Sequence, residues 1–259
     1  MVKKLLPLFP KHFSYIEPFC GSCVVLLNKP PSRKEVVNDK DDNIYNLFTV
    51  IKNRPDEFYN SFKYTFTSRT YFNNLLNTDI RKLTEIQRAH RFFYFINHVY
   101  NSAPTNTSFR TSKYYTSTLS YTSLQDKINS VYERLKNTII ECLDYKNLIN
   151  KYDYEKVFYF IDPPYYYARD RNKDKNRYEY THVFKVEDFI ELANKLKNVK
   201  GKFLMTINDC GFTRDTYKDF NLCSIDTIYC CGSRMNGIAK QTELLVSNYD
   251  IKPRRWKLK

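Results

Sequence analysis

Asp162, Pro163, Pro164 and Tyr165 stand side by side, directly after the apolar run Val157-Phe158-Tyr159-Phe160-Ile161. A carboxylate, a rigid double proline and an aromatic ring at the carboxyl end of a strand make a pocket for an amino group. The exocyclic NH2 of adenine is a poor nucleophile because its lone pair is delocalised into the ring. Activating it takes two acceptors, which hold both hydrogens and draw the nitrogen toward tetrahedral geometry. Asp162 supplies a carboxylate, and Pro163 supplies a carbonyl aimed by fixed proline backbone angles, an acceptor preorganised where charge develops. Tyr165 supplies a face on which a base can stack once it has left the duplex, which otherwise hides the target atom. The chemistry these residues point to is methyl transfer onto a base. Asp and Pro also form ordinary strand-to-loop turns, so four residues alone leave both readings open.

Two further segments bear on the choice. Residues 13–16 have the pattern of a short buried strand that runs into Glu17-Pro18-Phe19-Cys20-Gly21-Ser22-Cys23 and then the apolar Val24-Val25-Leu26-Leu27. Small residues in a strand-to-helix turn allow close backbone approach, and open α/β sheets bind ligands at the carboxyl ends of their strands. Glu35-Val36-Val37-Asn38-Asp39 is a strand pattern ending in a carboxylate some twenty residues later, where a ribose-binding acid is expected. The apolar spacing of residues 41–52, 83–95, 124–135 and 186–196 predicts helices, and residues 202–207, 222–230 and 242–249 predict strands. Residues 101–123 are rich in Ser, Thr, Asn and Tyr and read as a polar loop inside a small helical insert.

Charge and cysteine usage narrow the class. The 259-residue chain carries 42 Lys and Arg against 28 Asp and Glu, a net charge of +14 that favours a polyanionic partner. Eight of the basic residues, against two acids, fall between Lys63 and Lys113, interleaved with tyrosines suited to base stacking. A second basic stretch, with Arg169, Arg171, Lys173, Lys175 and Arg177, follows the Asp-Pro-Pro-Tyr motif and suits a grip on phosphates. No run of about eighteen apolar residues occurs, and a soluble intracellular protein is expected, cytoplasmic or associated with nucleoid or viral DNA. Cys20 and Cys23 form a CxxC, but no second pair and no histidine spacing supports a metal site, so small reduced core residues are expected. There is no Pro-Cys dipeptide of the kind used for covalent attack on cytosine.

Together, and in this order, these motifs resemble the DNA adenine methyltransferase (Dam) family, the D12 class of S-adenosylmethionine-dependent N6-adenine enzymes. Residues 91–97, 205–209 and 242–249 look like later landmarks of the same family, so the resemblance spans nearly the whole chain. It implies an α/β Rossmann-like methyltransferase fold, a doubly wound, mostly parallel sheet with an antiparallel last strand pair, formed by residues 1–54 and 138–259. Residues 55–137 would form a small helical target-recognition insert that binds double-stranded DNA. S-adenosyl-L-methionine would be the cofactor. Glu17, Pro18, Phe19, Cys20, Gly21 and Ser22 would surround its methionine moiety, Asp39 its ribose and Asp144 its adenine, with Asp162 also lining the cofactor. Asp162, Pro163, Pro164 and Tyr165 would be catalytic, and Arg110, Lys113, Arg169 and Arg171 would contact DNA. The chain departs from the family in a shortened N-terminal cofactor motif and in Cys23, where glycine is common. An amino-methyltransferase acting on cytosine N4 or on RNA, and a cofactor-less DNA-binding relative, are the alternatives.

Overall fold

The computed structural model describes residues 1–99, 109–110, 123–166, 184–228 and 240–251. In chain order the elements are α1 (Val2–Leu5), β1 (Ser14–Glu17), α2 (Val24–Asn28), β2 (Lys34–Asn38), α3 (Asp42–Asn53), α4 (Pro55–Asn60) and α5 (Arg69–Asn77). They continue with α6 (Glu85–His98), α7 (Leu124–Leu135), β3 (Ile139–Glu141), α8 (Tyr145–Tyr152), β4 (Val157–Ile161) and α9 (Val186–Lys197). The last are β5 (Lys202–Asn208), α10 (Gly211–Thr216), β6 (Asn221–Ile228) and β7 (Lys240–Ser247).

Among the described residues seven strands form one sheet in the order β3-β2-β1-β4-β5-β7-β6. β1 pairs in parallel with β2 and β4, and β4 with β5, whereas β7 runs antiparallel to both β5 and β6. This is the expected α/β architecture with an antiparallel last pair. β1 and β4 are buried along their whole length, as parallel strands covered on both faces must be, which is why β4 reads as an unbroken apolar run. On one face Ile16, Val36, Tyr159, Ile161, Phe203, Met205 and Ile207 pack under Leu148 and Ile149 of α8 and Phe189, Leu192 and Leu196 of α9. Gly201 is required where the chain enters β5, because a Cβ there would lie 2.9 Å from the Val157 carbonyl oxygen. The chain moves from β1 outward through β2 and β3, then returns to β4 on the other side. The order therefore reverses between β1 and β4, the place where such sheets open a crevice at their strand ends.

Among the described residues the chain divides into two compact units, one from residues 1–40 and from those after 142, the other from residues 41–142. The breaks fall at 40/41 and 142/143, where the sequence suggested 54/55 and 137/138. The difference is α3. Leu47, Val50 and Ile51 on its apolar stripe join Phe58, Phe62, Phe72, Phe92 and Phe95 in the core of the helical unit. Asp41 starts α3 by accepting from the Asn43 N–H at 2.9 Å, and α6 starts at a Thr84/Gln87 capping box, two residues after the predicted onset at 83. No described helix is long and apolar enough to cross a membrane.

The helical unit holds a ladder of stacked rings. The Phe62 ring lies 4.0 Å from His90, and Tyr94 lies 4.0 Å from His98, with all three α6 residues four apart on one face. The Ser61 hydroxyl donates to the Phe58 carbonyl and so accepts from His90 Nδ1, leaving His90 Nε2 to accept from the Tyr71 hydroxyl. Both nitrogens are satisfied in the neutral ring, and burial lowers the His90 pKa from 6.5 to about 4. Between those values the unfolded chain takes up a proton that the folded chain refuses, so stability falls as pH drops, by at most about 3 kcal/mol. The raised carboxyl groups described below act in the opposite sense over part of that range. The check is therefore a difference: urea midpoints from pH 7 to pH 4 should fall more steeply in wild type than in His90→Gln, and equal slopes would refute the assignment.

Candidate active site

The carboxyl ends of β2, β1 and β4 carry Asp39, Glu17 and Asp162 to one edge of the sheet, because the three strands are adjacent and parallel. Glu17 is buried at the end of β1, where it accepts from the Tyr15 hydroxyl at 2.6 Å. Burial, helped by the charge of Asp162 and opposed by the Tyr15 hydrogen bond, pushes its pKa up to about 7. Lys29 sits 4.3 Å from the Tyr15 ring centroid and forms a buried 2.7 Å ion pair with Glu35.

The turn after β1 is tied down at its backbone. The Cys20 N–H donates to the Asn38 carbonyl at 2.8 Å, and the Gly21 N–H donates to Asp39 Oδ2 at 3.0 Å. Gly21 has φ +45°, and no atom lies within 4 Å of the position a Cβ would take, so this part of the turn faces open space. Cys23 also has a positive φ, 54°. That left-handed backbone costs an L-residue on the order of 1 kcal/mol and a glycine almost nothing. Phe19 is half-buried, 5.3 Å from Tyr145 and edge-on to Phe184 at 5.6 Å. Pro18 and Cys20 are buried and Ser22 is exposed.

Asn38 went unnoticed in the sequence. Its side-chain amide donates to the carbonyls of Pro18 at 2.9 Å and Leu143 at 3.0 Å, and its oxygen accepts from the Leu143 N–H at 2.8 Å. A buried Asn next to a strand-terminal acid is the signal that could have revealed it, since all its polar atoms need partners. Leu143 precedes Asp144, which caps α8 by accepting from the Lys146 N–H at 3.1 Å and pairs with Lys40 at 3.2 Å.

Asp162 follows β4 and is reached by solvent, yet protein surrounds it closely enough for burial to raise its pKa to about 7. That combination describes a carboxylate lining a recess. Thr206 Oγ1 donates to Asp162 Oδ1 at 2.7 Å, which favours the ionised form, while the nearby Glu243 opposes it. Two residues further along β5, on the same face, Asn208 Oδ1 accepts from the Tyr166 N–H at 2.9 Å. Tyr166 in turn stacks on Phe212 at 4.1 Å. β5 thus grips the Asp-Pro-Pro-Tyr segment at both ends. Between those ends Pro163 is buried, and Pro164 and Tyr165 are half-buried. Thr206 and Asn208 are polar positions inside an otherwise apolar strand; the sequence marked that segment as a landmark but gave neither residue a role.

Of the residues expected to contact DNA, Arg110 is exposed in the helical unit, its N–H donating to the His98 carbonyl at 2.7 Å. Lys113, Arg169 and Arg171 lie outside the described residues. Cys20 and Cys23 are buried and not joined in a disulfide.

Type II methyltransferase M1.LlaDCHI of Lactococcus lactis subsp. cremoris is 27% identical over 266 residues, covering 95% of this chain and 92% of that protein. Residues 1–230 match the family described as D12 class N6 adenine-specific DNA methyltransferase. That match selects adenine N6 in DNA over cytosine N4 and RNA: the chain belongs to the D12 class of N6 adenine-specific DNA methyltransferases.

Proposed function

We propose that the chain methylates a flipped-out adenine of double-stranded DNA with S-adenosyl-L-methionine as donor, through the recess around Asp162. The observation that carries this is the convergence of Asp162, Glu17 and Asp39 on one sheet edge, with Thr206 holding Asp162. The residues present fit the donor. The turn at Gly21 opens on free space, Phe19 offers an aromatic face to a sulfonium, and half-buried Asp39 suits ribose hydroxyls. Pro18, Cys20 and Ser22 complete the wall of the turn, and Asp144, which pairs with Lys40, takes the donor's adenine. When bound, this donor supplies an electrophilic methyl group.

Asp162 and the Pro163 carbonyl accept the two hydrogens of the exocyclic amine, and Pro164 stiffens the segment between Pro163 and Tyr165. Tyr165 stacks on the base and keeps its edge toward Asp162. Alignment of the amine is the main contribution of these residues, since oriented reactants avoid a large entropic barrier. The helical unit serves target recognition, with Arg110 and the basic residues around it on the phosphates, and Lys113, Arg169 and Arg171 as further contacts. The similarity to a Type II methyltransferase favours modification partnered with restriction as the setting.

Calorimetric titration with S-adenosylmethionine tests the reading. Micromolar binding that weakens at least about tenfold in Asp39→Ala is expected, the loss of a charge-assisted hydrogen-bond acceptor. No heat of binding, with or without DNA, would overturn it.

A further inference from the structure

The connection between α4 and α5 holds the two most exposed large apolar side chains among the described residues, Tyr64 at 86% and Phe66 at 64%. Exposed aromatic residues on a loose loop would mean little, but this backbone is pinned. The buried Tyr94 hydroxyl accepts from the Ser68 N–H at 3.1 Å and shares its proton between the carbonyls of Phe66 at 3.2 Å and Ser68 at 3.3 Å. Thr65 donates through its N–H to Phe62 and through its hydroxyl to Ser61, and the Ser68 side chain caps α5. His98 Nδ1 donates to the Tyr94 carbonyl, so its Nε2 accepts from Thr67 at 3.3 Å. The two rings are thus held in water by a backbone that has already lost its freedom.

Cations accompany them in the helical unit. Lys63 Nζ lies 5.5 Å from the Tyr64 ring centroid, Arg69 lies over the Phe109 ring at 5.2 Å, and Arg110 is anchored to the His98 carbonyl next to it. Lys63, Arg69 and Arg110 are all exposed, and no acidic residue occurs from 58 to 78. A protein partner would have to be acidic and apolar at once, whereas unstacked DNA offers both ring faces and phosphates.

We propose that the α4–α5 connection is a base-stacking element for DNA whose bases have been unstacked: Tyr64 and Phe66 take the exposed face of a nucleobase, and Lys63, Arg69 and Arg110 hold the flanking phosphates. Flipping a base leaves a gap and an unpaired partner, and a stacking surface of this kind stabilises that opened duplex. A pinned backbone makes the contact without a further ordering cost. The inference rests on assigning DNA recognition to the helical unit.

The test is fluorescence anisotropy of the full chain with two duplexes of one sequence, fully paired or with one abasic site that leaves its partner base unpaired. Wild type should prefer the abasic duplex. Tyr64→Ala/Phe66→Ala should lose about tenfold on that duplex, little on the paired one, and keep its salt dependence, while Tyr64→Phe should bind as wild type. Arg69→Ala/Arg110→Ala should weaken both duplexes alike and lower the salt slope by about two. If the arginine variant loses affinity and the ring variant does not, the stacking element is refuted and DNA recognition by this unit stands. If neither loses affinity, both fall.

Discussion

Asp162→Ala should lose methyl transfer by on the order of a thousandfold, while affinity for S-adenosylmethionine stays within a few-fold. Asp162 is the carboxylate at the switch point, and Thr206 fixes one of its oxygens at 2.7 Å. Without that side chain the amine keeps one acceptor, the Pro163 carbonyl, and its nitrogen stays in conjugation with the ring. The pH profile sharpens the test. The ionised carboxylate is a much stronger acceptor for the NH2 hydrogens than the neutral acid, and the Asp162 pKa is raised to about 7. In wild type kcat/KM should therefore rise with pH through about 7, since this quantity reports the free enzyme. Asp162→Asn keeps an acceptor oxygen and cannot titrate, so it should lose less activity and the acid limb as well. Single-turnover assays on substrate DNA read both; full turnover in Asp162→Ala, or an unchanged limb in Asp162→Asn, would remove Asp162 from the reaction.

Lys29→Met should destabilise the fold by about 3–5 kcal/mol, because it strands a buried carboxylate. Lys29 and Glu35 side chains are 3% and 5% exposed, 2.7 Å apart. The Lys29 ammonium has three hydrogens and three oxygen partners, the Pro30 carbonyl, Ser32 Oγ and Glu35 Oε1. Remove the cation and Glu35 retains only the Ser32 N–H as a donor among these contacts. Lys29→Met/Glu35→Leu removes both charges and should recover most of the loss, since two apolar groups of similar volume need no partner. Urea denaturation of the two single variants and the double variant closes the cycle. Additive losses would show that the pair does not act as a unit.

The sheet and its acids were readable because central parallel strands have apolar cores, and two of them lead straight to a carboxylate: β1 ends in Glu17 and β4 just before Asp162. What escaped is what depends on distant partners. The period of α3 shows a buried stripe but not what covers it, so its place in the helical unit was hidden until Leu47, Val50 and Ile51 met the phenylalanines. α4 and α5 are short, six and nine residues, and too brief for a period to stand out. Thr206 and Asn208 look like polar interruptions of a strand, and only the pairing of β4 with β5 gives them Asp162 and Tyr166 as partners. Asp144 shows the converse. A strand-terminal acid marked it for the donor, and in the fold it also caps α8 and pairs with Lys40, two duties local enough to explain its presence.

The residues on either side of the helical unit, 40 and 143, stand beside a closed neck. Asn38 is stitched to Leu143 through both ends of its amide, and Lys40 to Asp144, so the chain leaves and re-enters the sheet-bearing unit at neighbouring points. Close termini are the condition under which one domain can be carried as an insertion in another. The helical unit can therefore diverge, lengthen or be exchanged while the sheet that carries Asp162 is inherited intact. A lineage built this way can reshape one unit without rebuilding the other.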